Sequence, residues 1–153
     1  MISKDEIIEC LRKQVNLYRY DMLTGFMQRH DFNIDLKDLF RKNKSFYLLY
    51  YDVNNLHNVN REKGFAEGDA LIKRVSERII KVAPKSLYYR PTGDEFFVIT
   101  ECEPNSIDID EATGLMLRSE AFKCSDEMLD MADKIMISLK SKLKNRRKTD
   151  KRG

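Results

Sequence analysis

The chain has 153 residues, 42% of them hydrophobic and 35% charged, and a net charge of +3. That length supports one domain with one real core and is short for two, and the composition excludes a disordered chain. No apolar run approaches a membrane span, and the opening MISKDEIIECLRK mixes acids and bases without the apolar core of a secretory signal.

In chain order, Ile7, Ile8, Leu11, Val15 and Tyr18 recur at helical spacing, which predicts a helix over residues 4–19 that stops before the turn at Thr24-Gly25. A second helix is expected over residues 27–43. SFYLLYYDV, residues 45–53, is apolar at almost every position and predicts a central strand covered on both faces. After a short helical or loop segment, residues 66–83 place Leu71, Val75, Ile79 and Val82 on one helical face, and Pro84 ends that helix. LYYR and FFVIT then flank Thr92-Gly93-Asp94-Glu95, a hairpin with two adjacent carboxylates at its tip. Residues 102–114 read as loop, 115–122 as a short strand, and 125–147 as an amphipathic helix with the stripe Met128, Ala132, Ile135, Leu139 and Leu143.

A strand, a crossover helix and a hairpin returning to the same sheet describe an α+β sandwich of ferredoxin-like type. A right-handed crossover lays the strand ending at Asp52 beside the hairpin, which brings Asp52 towards Asp94 and Glu95. Carboxylates gathered in this way repel one another unless something positive sits between them. A hard divalent cation such as Mg²⁺ suits an all-oxygen set and commonly binds substrate phosphates as well. Each acid taken singly has a simpler reading as a solvated surface charge.

Four segments, in order, resemble the GGDEF domains, the diguanylate cyclases. DMLTGFMQRHDF is similar to their opening D-x-L-T-G-L-x-N-R-x-x-F, and DVNNLHNVNREKGFAEGD to their D-x-D-x-F-K-x-x-N-D-x-x-G-H-x-x-G-D. RPTGDEFFVI resembles the signature R-x-G-G-D-E-F, and MADKIMISLKSKLKNR resembles A-D-x-A-L-Y-x-A-K-x-x-G-R-N-R. The resemblance implies a palm-type sandwich, a central antiparallel sheet flanked by helices, shortened relative to the family. It divides the chain into a stalk-like helix over residues 1–20, a GGDEF-like domain over 21–146 and a basic disordered tail over 147–153.

The implied activity is condensation of two GTP into cyclic di-GMP with release of two pyrophosphates, one GTP per subunit across a homodimer. Position by position, the resemblance assigns Mg²⁺ (or Mn²⁺) to Asp52, Asp94 and the backbone carbonyl of Val53. It gives Asp94 or Glu95 the deprotonation of the attacking hydroxyl. Asn60 and Asp69 match the positions that read the guanine edge, and Lys140 and Lys144 those that grip the terminal phosphates. Thr92 and Gly93 belong to the turn that passes close to the nucleotide.

Several positions depart from the pattern. Thr92 replaces the first glycine of the signature, which is strained if that turn needs positive φ and costs only bulk if the backbone is extended. His57 stands where a lysine contacts phosphate, Lys144 replaces an arginine and loses bidentate geometry, and Gln28 and Phe65 are expected to be structural replacements. Only 31 residues separate Thr100 from Ala132, where the family fits a helix, a strand and a loop, so the helix is expected to be lost or reduced to a turn. Ala83-Pro84-Lys85-Ser86 stands where the inhibitory R-x-x-D motif is expected, which argues against product inhibition at that site.

No sensor module is expected beyond the helix of residues 4–19, whose role is either packing on the body or dimerisation. Cys10, Cys102 and Cys124 are odd in number, far apart and in no metal-ligand spacing, so reduced thiols and a cytoplasmic location are expected. From Lys140 onward eight Lys and Arg face the single acid Asp150, leaving an acidic body. No aromatic residue is interleaved with that run, so nucleic acid is not an expected partner, nor is a membrane. The alternative to an active cyclase is a catalytically degenerate GTP-binding or dimerising regulatory module.

Overall fold

In the computed structural model, which describes residues 1–153, the most apolar run of the chain forms β1 (Tyr47–Val53), next to the edge of a four-stranded sheet with strand order β2-β3-β1-β4. The other strands are β2 (Leu87–Tyr89), β3 (Glu95–Thr100) and β4 (Ala112–Arg118), and every pairing is antiparallel. β1 pairs on one side with β3, Tyr47 opposite Thr100 through to Asp52 opposite Glu95, and on the other with β4, Tyr47 opposite Arg118 through to Val53 opposite Ala112.

Because successive strand residues point to opposite faces, β1 feeds two cores. Leu48 and Tyr50, with Phe97 and Ile99, meet Phe32 and Leu36 of α2 (Arg29–Arg41) and Met128, Ala132 and Met136 of α5 (Ser125–Asp150). Leu49, Tyr51 and Val53, with Phe96 and Val98, meet Leu71, Val75 and Ile79 of α4 (Phe65–Val82). Each fully buried side chain of this size is worth about 1.5–3 kcal/mol of transfer free energy. This double coverage is why the strand reads as continuously apolar.

The segment between β3 and β4 contains no helix, as the sequence predicts. The chain crosses β1 as a loop pinned by other means. Ile107 and Ile109 pack on the α4 face, and the Tyr51 hydroxyl donates to the Ile107 carbonyl at 2.7 Å. Glu111, at positive φ, accepts from Arg74 and Arg78 of α4 at 3.0 and 2.9 Å. Gly114 lies opposite Tyr51, and a Cβ there would come within 2.5 Å of the Tyr51 ring. The ring therefore lies against a bare backbone at Gly114.

Three boundaries differ from the sequence reading. β4 begins at Ala112, because Ala112 to Gly114 pair with Val53 to Tyr51, and a 3₁₀ turn follows over Ser119–Ala121. Residues 56–63 form a true helix, α3 (Leu56–Lys63), entered through Asn55 in the left-handed conformation. α5 continues to Asp150, through residues read as a disordered tail. Past Arg146 it has only polar residues, so helix propensity and the helix already formed carry it on without packing.

α1 (Lys4–Arg19) has the predicted bounds and a capping box: the Ser3 hydroxyl accepts from the Glu6 amide at 3.2 Å, and the Glu6 carboxylate accepts from the Ser3 amide at 2.7 Å. It buries none of its residues, and Ile7, Ile8, Leu11, Val15 and Tyr18 stand exposed. Its apolar stripe is thus not packed on the body. Gln28 closes its far end, donating to the carbonyls of Leu17 and Tyr20 at 3.3 and 3.0 Å. The three cysteines are unpaired, and no helix is long and apolar enough to cross a membrane.

Candidate active site

The register that sets Asp52 opposite Glu95 puts both carboxylates on the α2/α5 face at one end of the sheet. There they line a cavity of about 570 Å³ together with Tyr50 and with Asp133, Lys140 and Lys144 of α5. Lys140 is seven residues from Asp133 and four from Lys144, so the three lie along one face of the helix.

The Lys140 ammonium reaches into the end of β1. Its Nζ is 2.7 Å from Asp52 Oδ1 and 2.8 Å from Asn54 Oδ1, and 3.5 Å from the carbonyl oxygens of Asp52 and Val53. Four oxygens thus converge on a single cation. Asn54 is held for this by the Thr113 hydroxyl, which donates to the same Oδ1 at 2.8 Å, and by its own amide, which donates to the Glu111 carbonyl at 2.8 Å. Burial pushes the Asp52 carboxyl up, the Lys140 ammonium draws it down, and Asp94 and Glu95 push it up again; the balance lies above the usual carboxylate range.

Glu95 accepts a 2.8 Å hydrogen bond from the Tyr50 hydroxyl. Burial first, and then Glu95, push that phenol far up, so Tyr50 stays a donor. Asp133 is raised by burial and by the charges of Glu95 and Asp130. Asp94 stands exposed at the turn, with Thr92 Oγ1 3.5 Å from its Oδ1. No three carboxylates draw close enough to share an ion. The expected meeting of Asp52, Asp94 and Glu95 is instead a meeting of Asp52 with Lys140, and the positive group between the acids is an ammonium of the chain itself.

The donor set nevertheless suits a hard divalent ion, since Asp52, the Val53 carbonyl and Asn54 already surround a cation with oxygen. Of the expected ligands, Asp52 and Val53 belong to this set and Asp94 does not.

The signature turn is braced from below. Arg90 donates through Nε and Nη2 to the Gly93 carbonyl at 3.3 and 2.8 Å, and through Nη1 to Asp21 at 3.0 and 3.1 Å. Asp21 also accepts from the amide and hydroxyl of Thr24 at 2.9 and 2.7 Å. Burial would raise the Asp21 carboxyl, but these Thr24 and Arg90 contacts together hold it below its ordinary value. Positive φ among non-glycine residues is confined to Asn43, Asn55, Lys85 and Glu111. Thr92 therefore sits in ordinary backbone and its replacement of glycine adds bulk without strain. Gly93 does not need positive φ either, and a Cβ there would meet nothing within 4 Å.

Asn60 packs against Gly68, the residue before the exposed Asp69, where α3 meets α4. Gly68 makes it possible: a Cβ there would lie 1.7 Å from Asn60 Oδ1, so the glycine lets Asn60 close on the first turn of α4. His57 is exposed on the first turn of α3. None of the three lines the 570 Å³ cavity.

The sequence reading did not single out Tyr50, Asn54, Asp133 or Arg90. Two of these had a signal: Tyr50 is two residues before Asp52 on the same strand face, and Asp133 is two helical turns before Lys140. Arg90 is the arginine of the segment RPTGDEFFVI, but its hold on the Gly93 carbonyl, like the acceptance of Lys140 by the Asn54 side-chain oxygen, is a tertiary contact that no periodicity reports.

The family model described as "Diguanylate cyclase, GGDEF domain" matches residues 18–147, and the chain belongs to that family. The fold is similar to the coiled coil and GGDEF domain of DgcB from Caulobacter crescentus in complex with c-di-GMP, with a TM-score of 0.74 at 17% identity over 90% of this chain and 88% of that one. It is also similar to a microbial GGDEF domain solved with cyclic di-GMP, with a TM-score of 0.68 at 21% identity over 82% and 94% of the two chains. In sequence, an alignment 88 positions long, covering 54% of this chain, is 35% identical to a cyclic di-GMP phosphodiesterase, NbdA, of Pseudomonas aeruginosa, of which it covers 11%. A membrane protein of Staphylococcus haemolyticus is 31% identical over 53% of this chain and 24% of its own length. The chain thus spans a quarter or less of these curated relatives.

Proposed function

We propose that the protein is a diguanylate cyclase that condenses two GTP into cyclic di-GMP, with each of two subunits presenting one GTP. The observation that carries this reading is the pairing of Asp52 with Glu95 at the sheet end, facing Lys140 and Lys144 across one cavity, with the Thr92-Gly93-Asp94 turn beside it.

Asn60 and Asp69 read the guanine: the Asp69 carboxylate accepts from the ring N–H and exocyclic amino group, which adenine does not offer in that arrangement. Lys144 and, once free, Lys140 hold the terminal phosphates. Asp52, the Val53 carbonyl and Asn54 would hold Mg²⁺ or Mn²⁺, which when bound neutralises phosphate charge and polarises the α-phosphoryl group. Glu95 or Asp94 accepts the proton of the ribose 3′-hydroxyl as its oxygen bonds to the α-phosphorus of the facing nucleotide. The bond from that phosphorus to the bridging oxygen breaks and pyrophosphate leaves with the electron pair. The same exchange in the other direction closes the ring. One subunit holds half of this arrangement, so catalysis requires two.

That requirement supplies the test. Pyrophosphate release per subunit should rise with protein concentration and level off as dimers fill. Asp52→Asn and Asp94→Ala should each lower it by about 10²-fold or more, as expected when a group acting on the transition state is removed. A rate per subunit independent of concentration would contradict the two-subunit reading. The alternative, a GTP-binding or dimerising module without turnover, is favoured by one observation, the ammonium already seated at the end of β1.

A further inference from the structure

We propose that Lys140 is a tethered cation that keeps the four-oxygen cluster closed to divalent metal until a nucleotide draws it away. This rests on the reading above for the metal's place and goes beyond it in making metal entry conditional on the chain's own ammonium.

The geometry carries the argument. Lys140 Nζ lies within 3.5 Å of four oxygens belonging to three consecutive residues, Asp52, Val53 and Asn54. Two of the four contacts are as short as charge-assisted hydrogen bonds become, and the ammonium is satisfied there without a phosphate. Asn54 has no other cation to serve: its side chain is fixed by Thr113 with the oxygen aimed at Nζ. Lys140 is also half-buried, so the arrangement is built rather than a chance contact of a solvated side chain.

Two cations cannot share these oxygens. An ammonium accepts distances of 2.7 to 2.8 Å, whereas Mg²⁺ needs the same oxygens at about 2.0–2.1 Å and would stand within contact distance of the nitrogen. Metal entry therefore requires Lys140 to leave. The neighbouring cavity gives it somewhere to go, since Lys140 and Lys144 line the same space on one helix face. A triphosphate placed there would attract Lys140 outward as it brings the metal inward, so that nucleotide and metal bind cooperatively while metal alone binds poorly. The device would keep the site from collecting free divalent ions between turnovers.

The experiment is a Mn²⁺ titration without nucleotide, followed by the electron paramagnetic resonance of free Mn²⁺. It compares the unaltered protein with Lys140→Met, Lys140→Gln and, as a control for lost charge, Lys142→Met. If the ammonium holds the cluster in about nine molecules of ten, its removal tightens Mn²⁺ binding about tenfold. Both Lys140 variants should show that gain, Lys142→Met should not, and adding Asp52→Asn to Lys140→Met should abolish it. Mn²⁺ bound equally well by the unaltered protein and the Lys140 variants would overturn the proposal while leaving the metal's place intact. A gain that survives Asp52→Asn would overturn both, because the metal then lies elsewhere. A second measurement uses only the unaltered protein: the Lys140 side-chain NH₃⁺ resonance should change on saturation with Mg²⁺, and an unchanged signal contradicts the exchange.

Discussion

Arg90 shows how much of the site depends on residues that touch no substrate. Its guanidinium ties the Gly93 carbonyl to Asp21, so the signature turn is anchored to the segment that follows α1. The pair is largely buried, with 13% and 20% of the two side chains exposed. Arg90→Ala should therefore lower stability by about 1–3 kcal/mol, the range for a buried hydrogen-bonded charge, measured by urea unfolding. The pH dependence follows from Asp21, whose carboxyl is held below its ordinary value of about 3.9. A depressed acid contributes stability that is complete above its unfolded value and is lost as the pH falls through its folded one. Unfolding free energy should thus decline below about pH 4, and Asp21→Asn should flatten that limb of the profile.

Gly68 makes a complementary prediction at the same scale. Alanine there suits the α4 helix better by up to about 1 kcal/mol but drives Asn60 away from its place. Gly68→Ala should keep or raise the melting temperature while weakening GTP binding about tenfold, the loss of roughly one hydrogen bond. Calorimetry with GTP and ATP reads both outcomes, and unchanged GTP affinity would remove Asn60 from the nucleotide site.

Among the elements, the crossover between β3 and β4 is the least conventional. It is a loop rather than a helix, and Tyr51 holds it by packing against Gly114 and donating to the Ile107 carbonyl. Gly114→Ala forces a methyl group into a fully buried ring and should cost about 1–3 kcal/mol, read from the urea midpoint. Glu111→Ala, which breaks only the exposed pairs to Arg74 and Arg78, should cost far less, and that small effect should fade with added salt. The strands and helices were legible in the sequence because β1 is apolar on both faces and α4 and α5 repeat at helical spacing. The absence of the crossover helix was legible too, from the polar, loop-like run after Thr100. What stands in for it was not, because a tyrosine over a glycine is a contact between strands that single-chain periodicity does not encode. The candidate site divides in the same way. Asp52 and Glu95 follow from register, whereas the seating of Lys140 among four oxygens depends on how α5 docks, a tertiary fact.

At the scale of the whole molecule, the feature that most needs a partner is α1. Its apolar residues Ile8, Leu11, Val15 and Tyr18 recur at alternating spacings of three and four on a helix that buries nothing, the pattern of a two-stranded seam. Charged replacement of Leu11 and Val15 should leave the domain folded while shifting sedimentation from dimer towards monomer. It should also lower turnover per subunit at low protein concentration and restore it at high concentration. Dimerisation unchanged by the double replacement would place the subunit contact on the body instead.

The products formed from GTP decide whether this GGDEF domain joins two nucleotides. The most direct test incubates concentrated protein with GTP and Mg²⁺ or Mn²⁺ and resolves the products by mass spectrometry, with Asp94→Ala alongside. The unaltered protein should yield cyclic di-GMP and pyrophosphate, and the variant neither. GTP bound but unconsumed at high protein concentration would contradict the cyclase reading, leaving a nucleotide-binding module whose ammonium at Lys140 does not yield to metal.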